Sequence, residues 1–310
     1  MTFGAFEAGQ TPRTSPGAMR LDGPSLGDLV TEVAVALGHA GIEAPRTEAR
    51  DLVAAVLDRP RFWPNLNAAQ QATAQEREAI TRAARRRAAG APFAYAVGQA
   101  AFRFLNLHVD ERVLIPRPET ERLVDLVLSS PQARAGKVAV DVGTGSGAIA
   151  LALAAEGHFE RVIATDVSAD ALAVARNNAA LVRDSLRVPV DFRMGSGFAP
   201  LRGELVDVVV SNPPYIAWTE VHDLPRLVRD WEPTQALCCD DDGLAVTRLV
   251  VAGAGRHLVP GGLLALEVDC RRAHTVARLI EASGVFADTR VIPDYTGRDR
   301  FVMASCARLD

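Results

Sequence analysis

One segment of the chain reads Val138-Ala-Val-Asp-Val-Gly-Thr-Gly-Ser-Gly147. Its first half is an apolar run interrupted by one carboxylate, which is typical of a buried β-strand. The three glycines that follow allow a tight turn and let the backbone approach a ligand without intervening Cβ atoms. Apolar residues from Ala148 onward predict a helix directly after them. A strand, a glycine loop and a helix in this order indicate a nucleotide-binding α/β sheet.

Short apolar strands alternate with longer helical patterns from residue 118 onward. This alternation predicts a doubly wound α/β sheet, in which ligands bind beyond the carboxyl ends of the strands. Near the C-terminus, residues 289–292 and 300–305 predict a hairpin that adds an antiparallel edge strand, giving seven strands of which one is antiparallel. The other predicted strands cover residues 137–142, 161–166, 188–192, 205–211 and 262–268.

Four segments of different composition predict the domain organisation. Residues 1–24 are rich in glycine and proline and predict a flexible tail. Residues 25–100 carry apolar side chains at helical spacing and predict a small helical bundle that recognises the substrate, since nothing in it suggests cofactor binding. Residues 101–117 alternate until a break near Asp110, which predicts a linking β-hairpin. Residues 118–310 form the predicted catalytic domain.

The composition excludes some classes of protein. Of 310 residues, 48% are hydrophobic and 23% are charged, and the formal net charge is -4. A protein that grips a phosphate backbone needs clustered lysine and arginine, so direct nucleic-acid binding is disfavoured. The basic run from Arg82 to Arg87 fits a solvated helix face better than a nucleic-acid patch. No stretch approaches the roughly 18 apolar residues of a membrane span and no apolar signal region is present, which predicts a cytoplasmic protein.

The cysteines and histidines predict no site of their own. The four cysteines fit no metal-ligand spacing, and the six histidines show no pairing with a carboxylate that would indicate catalysis. We therefore predict no metal.

Two carboxylates accompany the glycine loop. Asp166 ends the second predicted strand, 23 residues after Gly143, where a carboxylate can accept hydrogen bonds from the ribose hydroxyls of a nucleoside. Alternatively, Asp166 caps the helix that begins near Ser168. Asp141 either orients the loop or contacts the ligand. Methyltransferases and nicotinamide-dependent dehydrogenases share these features, and the loop with Ala148 also matches the dinucleotide-binding pattern, so both remain open at this point.

The end of the fourth strand is more informative, because it runs into Asn212-Pro-Pro-Tyr-Ile216. Pro213 and Pro214 remove two backbone donors and stiffen the turn. The Asn212 side-chain oxygen and the Pro213 carbonyl can then accept the two N–H bonds of a planar NH2 group, and Tyr215 can pack on its face. The alternative is a rigid loop with no ligand. Beside a nucleotide loop, the pattern favours an amide or amine substrate.

These residues resemble the protein-glutamine N5 methyltransferases that modify the Gly-Gly-Gln loop of peptide chain release factors. The resemblance spans nearly the whole chain after the tail. It implies a Rossmann-like class I methyltransferase sheet, S-adenosylmethionine as cofactor, release factors as partners and a role in translation termination. The motifs that carry it are Gly90-Ala-Pro-Phe-Ala-Tyr-Ala-Val-Gly98, Val113-Leu-Ile-Pro-Arg-Pro-Glu-Thr-Glu121, Asp141-Val-Gly-Thr-Gly-Ser-Gly147, Asn212-Pro-Pro-Tyr-Ile216 and Asp294-Tyr-Thr-Gly-Arg-Asp-Arg300.

The resemblance also implies a role for individual residues. The glutamine amide is held by Asn212, Pro213, Pro214 and Tyr215, with Arg117 in the segment that covers the site. Methyl transfer from a sulfonium needs alignment rather than a metal or a covalent intermediate, and we name no general base. Cofactor contacts are expected from Asp141, Gly143, Thr144, Gly145, Ser146, Gly147, Asp166, Val167, Gly197 and Asn212.

The chain departs from the family pattern in two places. Ser196 and Gly197 stand where the family carries an acidic and an aromatic residue beside the adenine, and the fifth strand ends in an unusual run, 266–272. These departures leave two alternatives open. One is a methyltransferase of the same build acting on another amine or amide, such as a nucleic-acid base or a small metabolite. The other is a non-catalytic scaffold that keeps the sheet.

Overall fold

A computed structural model of the chain describes residues 23–307. All but the last two residues of the predicted flexible tail, 1–24, therefore lie outside the described residues. The chain divides into two compact units, Met1–Thr81 and Arg82–Asp310. This division falls earlier than the boundary at residue 100 that the sequence predicts.

The described part of the first unit is built from helices, as expected from its apolar spacing. Helix α1 begins at a capping box, in which the Ser25 hydroxyl accepts from the Asp28 backbone N–H at 3.1 Å and the Asp28 carboxylate accepts from the Ser25 N–H at 3.0 Å. The buried side chains of Leu29 and Leu37 on α1 and Leu52 on α2 form its core. The helices are α1 (Leu26–His39), α2 (Pro45–Val56), α3 (Trp63–Leu66) and the start of α4 (Ala74–Ala88), which ends in the second unit.

The central sheet of the second unit has seven strands, in the order β10-β11-β9-β6-β3-β4-β5. Five strands, β3, β4, β5, β6 and β9, run parallel, and β11 is antiparallel to both of its neighbours. The predicted sheet of seven strands with one antiparallel is confirmed. The strands of the unit are β1 (Gln99–Phe102), β2 (Leu105–His108), β3 (Val138–Val142), β4 (Arg161–Asp166), β5 (Val190–Met194), β6 (Val206–Ser211), β7 (Ile216–Ala217), β8 (Cys238–Cys239), β9 (Leu258–Glu267), β10 (Phe286–Pro293) and β11 (Asp299–Cys306).

The expectation of an antiparallel strand at the edge of the sheet was wrong. The second strand of the C-terminal hairpin, β11, pairs with β9 from Phe301 opposite Glu267 to Ser305 opposite Leu263. The antiparallel strand therefore lies inside the sheet, and β10 forms the edge. Burial explains this order, because β11 is mostly buried whereas β10 exposes four of its eight side chains.

The linking hairpin also differs from its prediction. Its turn lies at residues 103–104 rather than near Asp110, and Arg103 takes a left-handed conformation with φ 55°. The Arg103 guanidinium holds this turn by donating to Glu156 at 2.6 and 2.7 Å and to Asp125 at 2.7 Å. The apolar residues that suggested a longer strand, Val109 and Val113, are buried in a loop instead.

Helices cover both faces of the sheet. Helix α7 carries apolar side chains on all of its faces, and every side chain from Ala148 to Ala154 is buried between α6 and the sheet. Helices α12 and α13 cover the opposite face. Among residues 23–307, no helix is long and apolar enough to span a membrane. The helices of the second unit are α5 (Phe93–Val97), α6 (Pro118–Leu128), α7 (Ala148–Glu156), α8 (Ala169–Leu181), α9 (Arg226–Arg229), α10 (Thr234–Leu237), α11 (Asp240–Gly243), α12 (Ala245–His257) and α13 (Ala273–Ala282).

Three strands begin two or more residues from their predicted starts, and one of them is β10, which begins at Phe286 rather than at residue 289. Strand β5 runs from Val190 to Met194, two residues later than predicted, and β9 begins at Leu258 rather than at residue 262. The pairing of β9 with β6 shifts register after Leu258. The first residues of β9 include Pro260 and Gly261, which in the sequence are signals for a loop.

Candidate active site

The glycine loop between β3 and α7 is left-handed at all three of its glycines. Gly143, Gly145 and Gly147 have φ values of 77°, 55° and 85°. A Cβ atom at Gly143 or Gly145 would meet no atom within 4 Å, so these two glycines border open space. A Cβ at Gly147 would lie 3.2 Å from Ala175 and Leu151. The first two glycines therefore leave room for a ligand, and the third allows α7 to pack closely on α8.

Asp141 supports this loop from below. Its side chain is fully buried, and Oδ2 accepts hydrogen bonds from the Thr144 hydroxyl at 2.6 Å and the Ala150 N–H at 3.2 Å. Burial raises the pKa of Asp141 to about 7. Its Oδ1 is buried without a partner in the described residues. Of the two roles considered from the sequence, the contacts of Asp141 are those of a residue that orients the loop.

Asp166 lies at the carboxyl end of β4, beside the loop. One carboxylate oxygen accepts from the Gly145 N–H at 2.9 Å and the other accepts from the Ser168 N–H at 2.9 Å. Ser168 itself caps α8 through the Ala171 N–H at 3.1 Å. Asp166 thus joins the loop to the residue that caps α8, but the cap itself is Ser168 and not, as the alternative interpretation had it, Asp166. The next residue, Val167, exposes half of its side chain on the same edge.

The segment after β5 lies against the end of β4. The Gly195 N–H donates to the Asp166 carbonyl at 2.9 Å, and the Thr165 hydroxyl donates to the Gly197 carbonyl at 3.1 Å. Gly197 is left-handed with φ 53°, and a Cβ there would lie 2.4 Å from the Leu249 side chain. A larger residue at 197 would therefore require Leu249 to move.

Asn178 was missed by the sequence analysis. It is fully buried on α8, its Oδ1 accepts from the His108 N–H at 2.7 Å, and its Nδ2 donates to the carbonyls of His108 at 3.0 Å and Ser146 at 2.9 Å. The side chain thereby joins the linking hairpin to the glycine loop. A lone asparagine in a helix gives no such signal in the sequence, because its partners lie 70 and 32 residues away.

Asn212 follows β6 at the carboxyl edge of the sheet. Ser211 is fixed by its hydroxyl, which donates to the Val142 carbonyl of β3 at 2.6 Å. The Asn212 Nδ2 donates to the Thr120 hydroxyl at 3.2 Å, and that hydroxyl donates to Glu267 Oε2 at 2.7 Å. Thr120 and Glu267 were also missed as site residues, since they meet Asn212 only in the fold.

A cavity of about 390 Å³ opens beside Asn212, and Arg117, Tyr215 and Arg300 also line it. The Arg300 guanidinium lies over the Tyr215 ring, 5.9 Å from its centroid. Burial raises the pKa of Tyr215 to about 12, so its hydroxyl stays protonated. Pro213 is buried, and the Pro214 carbonyl accepts from the Cys239 thiol at 3.2 Å. Of the predicted amide-binding residues, Arg117, Asn212 and Tyr215 line this cavity.

Arg117 is held at this cavity by a buried acid. It donates to Glu232 Oε1, while the Ile115 N–H donates to Glu232 Oε2 at 3.2 Å. Glu232 is only 5% exposed. The segment from Ile115 to Arg117 is therefore held beside the cavity by an acid that the sequence did not indicate.

The sheet order brings the predicted sites together. Strand β3 carries the glycine loop and pairs with β4, which carries Asp166, and with β6, which carries Asn212. Because these strands are parallel neighbours, their carboxyl ends meet at one edge. Among residues 23–307, no group of three or more histidine, cysteine, aspartate or glutamate side chains is arranged to hold a metal ion.

The chain is similar in sequence to proteins of known family. Residues 28–98 match the family model of the PrmC N-terminal domain, and residues 121–226 match that of the methyltransferase small domain. A release factor glutamine methyltransferase of Moorella thermoacetica is 41% identical over 282 residues, covering 90% of this chain and 96% of the relative. One of Deinococcus radiodurans is 39% identical over 279 residues, covering 90% and 98%. A solved methyltransferase of Pyrococcus furiosus aligns with 67% of this chain and 92% of its own, with 20% identity and a TM-score of 0.49.

Proposed function

This chain belongs to the family of release factor glutamine methyltransferases, and from that premise we propose the reaction that it catalyses. It transfers a methyl group from S-adenosylmethionine to the side-chain amide nitrogen of the glutamine in the Gly-Gly-Gln loop of a peptide chain release factor. The observation that carries the proposal is the position of Asn212. This residue lines a cavity and follows β6, the strand that pairs with β3, which carries the glycine loop.

The residues at the carboxyl ends of β3 and β4 fit S-adenosylmethionine. Open space at Gly143 and Gly145 leaves room for the cofactor against the backbone. The Asp166 carboxylate lies where the ribose hydroxyls of a nucleoside can donate to it, and Val167 offers an apolar surface beside it. When bound, the cofactor would supply an electrophilic methyl carbon on a cationic sulfur.

The residues around the cavity fit a primary amide. An amide nitrogen is a weak nucleophile because its lone pair is delocalised into the carbonyl. Acceptors at the Asn212 oxygen and the Pro213 carbonyl would hold both N–H bonds and orient the nitrogen, and Tyr215 would pack on the amide plane. Their partial negative charge also favours the positive charge that develops on the nitrogen during transfer. The residues therefore act by alignment and electrostatics.

The helices before residue 100 supply substrate recognition in this proposal. They match the N-terminal domain model of the family and contain none of the proposed cofactor residues. We propose that residues 25–100 bind the release factor, residues 101–117 link them to the catalytic domain, and residues 118–310 carry the chemistry. The net charge of -4 supports a protein rather than a nucleic-acid substrate, and we place the protein in the cytoplasm, where translation termination occurs.

The test is methylation of a purified release factor by the purified chain, with mass spectrometry of the Gly-Gly-Gln peptide. We expect one added methyl on the glutamine and none on a Gly-Gly-Glu variant of the factor, which lacks the amide. Asn212→Ala should abolish the methyl, whereas Asn177→Ala, an exposed asparagine on α8, should retain it. An unmodified factor, or labelling of nucleic acid or a small molecule from a lysate instead, would contradict the proposal.

A further inference from the structure

Three side chains from separate elements form a line of hydrogen bonds that ends at the cavity. Thr120 comes from the first turn of α6, Asn212 follows β6, and Glu267 ends β9. The Thr120 hydroxyl lies between the other two, 2.7 Å from Glu267 Oε2 and 3.2 Å from Asn212 Nδ2. Thr120 and Glu267 are 5% and 1% exposed, so solvent does not compete for these bonds.

The order of donors along this line follows from the hydroxyl of Thr120. A hydroxyl has one hydrogen and two lone pairs, and the buried carboxyl oxygen of Glu267 takes that hydrogen. The Thr120 hydroxyl can then only accept a hydrogen bond from Asn212, through one of its lone pairs. The NH2 end of the Asn212 amide can meet them, whereas its oxygen would place two acceptors against each other.

We propose that Thr120 and Glu267 are positioning residues that fix the orientation of the Asn212 side-chain amide. They hold its NH2 end inward, so that its oxygen is the atom presented to the substrate amide. This inference rests on the proposed function and deepens it, because it states how the acceptor for the glutamine N–H is selected. Without the two residues, Asn212 could present either end, since the two ends of an amide have nearly the same shape.

The surroundings of Glu267 keep this arrangement stable. Burial above all, and the charge of Glu119 to a smaller extent, raise the pKa of Glu267 to about 7. The charges of Arg300 and Arg117 act in the opposite direction, because they favour the carboxylate. Tyr215, which stays protonated, interacts electrostatically with Glu267, Arg300 and Arg117. A Glu267 carboxyl that carries its proton on Oε1 still accepts from Thr120 at Oε2. With the proton on Oε1, the orientation of Asn212 is therefore the same as with the charged carboxylate.

The experiment compares Thr120→Val with Thr120→Ser in the methylation assay. Valine keeps the shape of threonine and removes the hydroxyl, whereas serine keeps the hydroxyl. We expect kcat to fall about 10- to 100-fold in Thr120→Val, the range typical of losing an outer partner that orients a residue of the site. Thr120→Ser should restore most of kcat. The control Thr247→Val, which changes a buried threonine of α12, should keep the wild-type kcat.

A second variant tests which group donates and which accepts in the two hydrogen bonds of Thr120. Glu267→Met removes the acceptor and frees the hydroxyl hydrogen of Thr120, which can then donate to the Asn212 oxygen and turn the amide round. We expect Glu267→Met to lose kcat as Thr120→Val does, and the double variant Thr120→Val/Glu267→Met to lose no more than the larger single loss.

The outcomes separate the inference from the function on which it rests. Wild-type kcat in Thr120→Val, equal losses in Thr120→Val and Thr120→Ser, or losses that multiply in the double variant would each overturn the positioning role. Failure of the wild-type chain to methylate the factor would instead overturn the proposed function. If Thr120→Val does not fold, as judged by its thermal transition, Glu267→Met and Thr120→Ser still decide the matter by their kcat values.

Discussion

Asn178 should carry an unusual share of the stability of the cofactor loop. In Asn178→Leu, a side chain of similar size replaces the amide, and three backbone groups lose their partner: the half-buried N–H and carbonyl of His108 and the buried carbonyl of Ser146. A buried polar group that loses its partner costs about 1–2 kcal/mol. We therefore expect the free energy of unfolding to fall by about 3–5 kcal/mol.

The adjacent residue provides a matched control. Asn177 is exposed on the same helix, so Asn177→Leu makes the same chemical change without removing a buried contact. Its effect on the free energy of unfolding should stay within about 0.5 kcal/mol. Urea denaturation of both variants measures the difference. Calorimetric titration with S-adenosylmethionine should also show weaker binding to Asn178→Leu, because Asn178 fixes the loop through Ser146.

Amide hydrogen exchange gives a local measure of the same contact. The His108 N–H is protected by the Asn178 oxygen in the wild-type chain and should exchange faster in Asn178→Leu. A loss below about 1 kcal/mol, or equal losses in the two variants, would show that these hydrogen bonds contribute no more than an exposed asparagine does. In that case the linking hairpin would be held to the loop by apolar packing alone.

Two further predictions concern the glycine loop and the buried acids. Gly147→Ala should lower the free energy of unfolding by about 1–2 kcal/mol, because φ is +85° and the new Cβ crowds Ala175. Gly145 is also left-handed, so Gly145→Ala should cost about 1 kcal/mol of stability, but because Gly145 borders open space the substitution should in addition weaken cofactor binding in calorimetry. Equal binding losses would contradict this division. The pKa of Asp141 and of Glu267 is raised to about 7, so the folded state binds their protons more tightly than the unfolded chain does. The stability that these two protonated acids contribute is therefore full below about pH 4 and is lost as the pH rises to about 7. Asp141→Asn should make the free energy of unfolding, measured by urea denaturation, depend less on pH between these values. An unchanged pH dependence would refute the raised pKa of Asp141.

The strands and the loop could be predicted because their signals are local. Val138 to Gly147 contains both the apolar run of a buried strand and the glycines of the turn, and Asn212 to Tyr215 contains the whole rigid turn that presents the amide. Boundaries were predicted less well where local signals conflicted with pairing. Pro260 and Gly261 are residues typical of loops, yet they lie within β9.

The position of the linking turn was mistaken for a related reason. Alternation continues through Val109 and Val113, but their apolar character reflects burial in a loop and not a strand. The real turn forms at Arg103, where contacts with Asp125 and Glu156 stabilise a left-handed residue. Those acids lie 22 and 53 residues away, so no local pattern contains them.

Residue patterns alone therefore establish the α/β sheet, the glycine loop and the Asn212 turn, since each depends on the periodicity and backbone chemistry of neighbouring residues. The partners of those elements depend on the fold. Thr120 and Glu267 meet Asn212, and Asn178 meets Ser146, only because parallel strands and their helices bring distant segments to one edge of the sheet. Hydrogen bonds act over about 3 Å whatever the separation along the chain, which is why the orientation of Asn212 is decided by tertiary structure.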